Sequence, residues 1–329
     1  MVHTLLKVLF ILSSFIKINS VNVVGWYNGG SDGIVDIPLD MYTHIVTGSP
    51  IVFPNGTVQC NKTDIITTNI TRLAHSHNPP RDVQWRCNIP NLTKVLFNDN
   101  YSYILDNYCS SIGDAMKECS IDGMEVDYEW GDSEWNIGII PPFASNKYTD
   151  FLIRLKSSMP TGSIVSADVG VWGLNGGYPL GFLPWVNVTK FNNPSNSSNE
   201  IDFVNIMSYH HDKNNSIKLW EMDIKIFRDL WKFNMSKVNL GIPYFVNNYS
   251  HWPKIYNEPT WDSLSSSCPN APYNLTICEN VEFVSKEMNY KIGQLAKLEG
   301  VGLFPWTLNY DSFSYNNTMV TWLIKGYTS

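Results

Sequence analysis

What most constrains this chain is a regular alternation of short β-rich runs with amphipathic helical stripes, sustained along nearly all of its 329 residues. The β-rich runs occupy residues 21–26, 43–47, 94–97, 123–129, 164–169, 203–209, 238–242 and 301–304. Helical periodicity falls between them. Over 146–158, Tyr148, Phe151, Leu152 and Leu155 recur at i, i+3, i+4 and i+7, with Ser145 placed to cap the first turn. Over 216–233, Trp220, Ile224, Phe227 and Trp231 form one stripe. Over 281–298, Val281, Val284, Met288, Ile292 and Leu295 form another, and Gly300 follows as a stop. Eight strands with intervening helices predict an α/β fold, a (β/α)8 TIM barrel built as one domain with no large insertion. The rival is a doubly wound open sheet, which carries a glycine-rich phosphate turn after its first strand. Val24-Gly25-Trp26-Tyr27-Asn28-Gly29-Gly30 has the glycines without that spacing.

The first twenty residues read as a signal peptide: Lys7, an apolar run over 8–16, then Asn19-Ser20. The run is shorter than the ~20 residues a bilayer-spanning helix needs. The expected mature domain is therefore 21–329, and loss of Lys7 and Lys17 takes the net charge from −7 to −9. Such an acidic chain is repelled by nucleic acid and by anionic lipid, so neither is an expected partner. A secreted, extracellular protein is expected, with lysosomal delivery as the alternative. The six cysteines agree with an oxidising compartment, and proximity suggests the pairs Cys60–Cys87, Cys109–Cys119 and Cys268–Cys278. Sequons such as Asn55, Asn61, Asn69, Asn100 and Asn234 point to a glycoprotein. The many aromatics, 12 Trp, 17 Tyr and 15 Phe, suit sugar stacking but serve equally as core filler, so they decide nothing alone. His75-x-His77 and His210-His211 lack a third ligand at metal-site spacing, so no metal and no cofactor are expected.

One segment stands apart: Asp122-Gly123-Met124-Glu125-Val126-Asp127-Tyr128-Glu129-Trp130. Alternate residues of a strand share a face, roughly 6.6 Å apart. Glu125, Asp127 and Glu129 therefore point the same way. Facing into a barrel, three carboxyls at that spacing cannot all stay ionised cheaply, and one keeps a proton near neutral pH. A protonated carboxyl at the C-terminal mouth of a barrel can protonate the leaving oxygen of a glycosidic bond. Facing water on an edge strand, the same acids would be an ordinary charged face.

The pattern Asp122-x-x-Glu125-x-Asp127-x-Glu129 resembles the strand-four signature of glycoside hydrolase family 18, the chitinase family, Asp-Gly-x-Asp-x-Asp-x-Glu. Further segments resemble that family in the same order: Val24-Gly25-Trp26-Tyr27, Tyr42-Thr43-His44-Ile45, Asp202 through Tyr209 with its Met-x-Tyr, Leu240-Gly241-Ile242-Pro243-Tyr244, and Gly300 through Asp311. The resemblance implies a general acid/base at Glu129. It implies that Asp127 holds the substrate's 2-acetamido group while the acetamido oxygen attacks the anomeric carbon, so that no protein nucleophile is needed. It adds Glu125 and Tyr209 to the catalytic set, and Trp306, Met207, Tyr27, Asp122 and His210 to the substrate-binding set. Three departures are visible. Glu125 stands where the signature has Asp. His210 stands where Asp or Asn usually follows the tyrosine. The run assigned to the third strand, 94–100, lacks the family's Ser-x-Gly-Gly.

The expected activity is hydrolysis of β-1,4-linked N-acetylglucosamine, in chitin or chito-oligosaccharides, with retention and by a monomer. Two alternatives stand beside it: an inactive chitin-binding lectin on the same barrel, and an endo-β-N-acetylglucosaminidase or chitobiase acting on N-glycans.

Overall fold

A computed structural model of the chain describes residues 21–29, 34, 37–90, 92–128, 144–170, 186–193, 200–208, 216–244, 247–248, 277–278, 281–311 and 318–329. Eight strands form one sheet: β1 (Val24–Tyr27), β2 (His44–Thr47), β3 (Asp82–Arg86), β4 (Gly123–Asp127), β5 (Ile164–Val169), β6 (Phe203–Ile206), β7 (Val238–Pro243) and β8 (Gly302–Trp306). They neighbour one another in chain order and every pairing is parallel. The two edges meet through a parallel bridge between Val23 and Leu303, and Leu303 N donates to Asn22 O at 2.8 Å. This nearly closes the barrel, as the alternation of elements requires.

The strands carry apolar residues on both faces because the sheet is covered by helices outside and packed side chains inside. All six residues of β7 are buried. The outer layer comprises α1 (Ile65–Ser76), α2 (Leu92–Phe97), α3 (Ser102–Cys119), α4 (Ala144–Ser158), α5 (Val188–Asn192), α6 (Ile217–Lys225), α7 (Lys286–Glu299) and α8 (Met319–Thr328). Each long helix buries one stripe. Tyr148, Phe151, Leu152 and Leu155 are buried on α4, as the periodicity predicts. Their ends are capped by local chemistry. Asp64 accepts from Thr67 N on α1, and Ser285 accepts from Met288 N on α7. Gly300 ends α7 in the left-handed region at φ 67°. Asp311 accepts from Met319 N (2.6 Å) and Val320 N (3.1 Å) at the start of α8. Helices α7 and α8 touch backbone to backbone through glycine. A Cβ on Gly293 would lie 2.0 Å from Leu323 O, and one on Gly326 would lie 1.9 Å from Tyr290 O.

Several sequence expectations are corrected. The third strand is Asp82–Arg86, and the run at 94–97 belongs to helix α2, where Val95 and Leu96 are buried. The true strand alternates Asp82, Gln84 and Arg86 with Val83 and Trp85, so it shows no continuous apolar run. The stripe at 281–298 begins too early. Val281–Glu282 is a short strand, paired antiparallel with Asn247–Asn248 and Ile277–Cys278, and the helix starts at Lys286. The stripe at 216–233 is split: α6 is followed by a five-residue π turn, Ile226–Leu230, which keeps Phe227 on the buried side with Trp220 and Ile224. Ser145 lies inside α4. The disulfide is Cys60–Cys119, with Cα atoms 5.6 Å apart. It replaces both Cys60–Cys87 and Cys109–Cys119. Cys87 and Cys109 are free thiols. Cys278 lies in its short strand, while Cys268 is outside the described residues. Sequence proximity misled because the barrel returns α3 to the segment after β2: Val58 N donates to Ser111 Oγ, beside the bridge.

Candidate active site

Strand β4 carries the site. Its alternation puts Glu125 and Asp127 on one face, and the register pairs Glu125 with Ser166 and Asp127 with Asp168 on β5. Glu125 is completely buried, whereas Asp127, the last residue of the strand, is exposed at the C-terminal mouth. Glu129, Tyr209 and His210 lie outside the described residues.

Beneath the mouth a polar network crosses the barrel. The side chain of Asn205 on β6 donates from Nδ2 to Glu125 Oε1 (2.8 Å) and to Asp168 Oδ1 (3.0 Å). Asn239 on β7 donates from Nδ2 to Asn205 Oδ1 at 2.8 Å. Ser166 Oγ lies against Glu125 Oε2 and 2.7 Å from Gln84 Oε1 on β3. Gly302 makes room for this row, since a Cβ there would stand 1.9 Å from Asn239 Oδ1. Burial, together with the negative charge of Asp127, raises the Glu125 carboxyl to about 7, against the pull of hydrogen bonds from Asp168 and Asn205. Burial first, and then the charge of Glu125, lifts Asp168 well above the carboxylate range. Both shifts favour a proton retained on the buried pair Glu125 and Asp168.

Sequence reasoning missed Gln84, Ser166, Asp168, Asn205 and Asn239. A signal was present: polar residues at inward positions of otherwise apolar strands. Nothing local said that they converge.

The expected binding residues are distributed as follows. Tyr27 ends β1 and is buried. Met207 follows β6, buried, with its N donating to Val169 O. Trp306 ends β8 half-buried, its ring 6.4 Å from that of Tyr310, and its carbonyl accepts from Tyr244 N at 2.8 Å. All three stand at the same end of the barrel as Asp127. Asp122 does not. It precedes β4 at the opposite end, where Oδ2 accepts from Val83 N (2.8 Å) and meets His75 Nε2 (2.8 Å). It ties β3, β4 and α1 together, and its assignment to substrate binding is corrected accordingly. The His75-x-His77 pair is divided between two carboxylates, since His77 Nε2 meets Asp40 Oδ1 at 2.5 Å. Among the described residues no group of three His, Cys, Asp or Glu side chains is placed to hold a metal ion.

The family model for glycosyl hydrolases of family 18 matches residues 22–318. The chain belongs to that family. Solved family 18 and other chitinase structures share the barrel of this family 18 chain. A chitinase from Rhizomucor miehei superposes with a TM-score of 0.69 at 16% identity, covering 93% of this chain and 99% of that one. A chitinase from Bacteroides thetaiotaomicron gives 0.67 at 15%, covering 93% and 96%. A family 18 chitinase from Cycas revoluta, solved with tri-N-acetylglucosamine, gives 0.65 at 14%, covering 92% and 99%. No curated protein sequence matches the chain. At these identities the likeness establishes the fold, and the family 18 assignment rests on the model match.

Proposed function

We propose that this family 18 protein hydrolyses β-1,4-linked N-acetylglucosamine in chitin or chito-oligosaccharides, with Glu129 as general acid and then general base. The observation that carries the reading is the division of labour along β4: Glu125 is sealed in the barrel, Asp127 emerges at the mouth, and Glu129 follows two residues later in the signature. Asp127 then receives the N–H of the 2-acetamido group and orients its oxygen toward the anomeric carbon. Glu129 protonates the leaving oxygen and afterwards activates water. Tyr209 supports the acetamido oxygen, and Trp306 lies under the sugar ring. Product with retained β configuration follows. The complex with tri-N-acetylglucosamine is a property of the Cycas revoluta chitinase; here it supports the choice of substrate class. Secretion after removal of residues 1–20, glycosylation at exposed sequons and a monomeric state belong to the same proposal.

The test is turnover of fluorogenic chitobiose and chitotriose glycosides by the mature protein beside Glu129→Gln. Loss of a general acid costs on the order of 10²-fold or more in rate. Cleavage by the wild type with loss in the variant supports the assignment. Binding of chito-oligosaccharides without cleavage by either protein replaces the hydrolase with a lectin, and neither binding nor cleavage redirects the reading to N-glycan substrates.

A further inference from the structure

Asp168 lies on β5, outside the signature segment of β4, and its place in the barrel gives it a task of its own. It is 1% exposed and Glu125 is 0% exposed. One amide group, Asn205 Nδ2, donates to both carboxyls. That shared donor, with bonds of 2.8 and 3.0 Å, holds the two carboxyls side by side in the barrel interior. Two carboxylates only accept, so a direct bond between such neighbours requires a hydrogen on one of them. Ser166 points to the same economy of protons. Its single hydroxyl hydrogen faces both Glu125 Oε2 and Gln84 Oε1, and it can serve one of them at a time.

The other groups around the pair do not neutralise it. Strand β4 contributes Asp127, a further negative charge. Helix α4 brings Tyr148 behind β4, with its hydroxyl donating to Val126 O at 3.1 Å. Strand β3 contributes Gln84 and Arg86, and the Arg86 guanidinium is turned toward β1 and β2, 5.6 Å from the Trp26 ring and 3.5 Å from Gly48 O. Among the described residues no cation forms an ion pair with Glu125 or Asp168. Two such carboxyls cannot both ionise in a dry interior at acceptable cost.

We propose that Asp168 is a positioning residue that shares a buried proton with Glu125, so that Glu125 is held without drawing a proton from Asp127, which stays directed to the mouth. The consequence for catalysis rests on the hydrolase reading above; the shared proton does not. The raised Glu125 and Asp168 carboxyls agree with it. A longer acid at position 125, where the signature has Asp, reaches across to β5 and gives the pair its second partner.

Infrared difference spectroscopy of the full mature protein reads the proton directly through the C=O stretch of a protonated carboxyl. At pH 8, above the value of about 7 for Glu125, the wild type shows this band and Asp168→Asn lacks it. Asp168→Ser, smaller and still able to donate to Glu125, is the second variant should the first not fold. In either variant kcat on chitotriose glycoside falls about tenfold, as expected when a reacting group is misplaced, while KM stays within about twofold. A wild-type spectrum without the band, or a band unchanged by both variants, overturns the proposal. So does a loss confined to KM or to stability. A band that behaves as expected in a wild type that cleaves no N-acetylglucosaminide keeps the shared proton and removes the hydrolase reading.

Discussion

Replacing Glu125 by Gln should flatten the dependence of stability on pH. Between its ordinary value of 4.5 and about 7, the folded protein keeps a proton on Glu125 that the unfolded chain has released. The folded state binds more protons over that window, so stability falls as pH rises through it. The full difference is worth about 3 kcal/mol at ~1.4 kcal/mol per pH unit, and most of it is lost between pH 5 and pH 8. Gln keeps the shape and the contacts: its carbonyl accepts from Asn205 Nδ2, and its amide donates to Ser166 Oγ. The substitution removes the Glu125 titration and with it the negative charge that Glu125 places beside Asp168. Urea unfolding of both proteins at pH 5 and pH 8 measures it, and the quantity to compare is the difference between wild type and variant, which cancels the groups that do not interact with Glu125. The variant gains on the wild type as pH rises, by about 2 to 3 kcal/mol. Parallel profiles for the two proteins would refute the reasoning, because they would mean that Glu125 has the same affinity for its proton in the folded and unfolded chains.

His44 gives the opposite trend. Burial, and then the charge of Arg81, lowers it from 6.5 to about 4, so stability falls as pH drops through that window by about 3 kcal/mol, and His44→Gln should abolish the loss in the same urea titration. Gly302→Ala drives a Cβ to 1.9 Å from Asn239 Oδ1 and 2.8 Å from Asn22 O, which displaces the Asn239–Asn205 bond; a loss of about 2 kcal/mol is expected for such overpacking, read as a lower melting temperature, and an unchanged one would count against the close fit. Reducing Cys60–Cys119, which spans a sequence separation of 59, should lower stability by about 4 kcal/mol on the chain-entropy model. Urea midpoints with and without reductant test this, and equal midpoints would mean the bridge does not form.

Much of the architecture was legible in one dimension. The limits of β5 at 164–169 are as its apolar run predicts, and the buried stripes of α4 and α6 follow the helical period. Gly300 ends its helix where the pattern stops. These features depend on residues a few positions apart, whose spacing alone says which side faces the core. By the same rule the spacing of Glu125 and Asp127 puts them on one face of β4. The third strand escaped because its inward positions, Gln84 and Arg86, are polar for the sake of partners elsewhere in the chain. The disulfide escaped because Cys60 and Cys119 become neighbours only when α3 packs beside the segment that follows β2. Nor could the pairing of Glu125 with Asp168 and with Asn205, 80 positions away, be read along the chain. Those contacts are set by the inter-strand register, which is decided when the eight strands twist, tilt and close on one another. Local periodicity thus determined which side chains face inward, and closure of the barrel decided which of them meet.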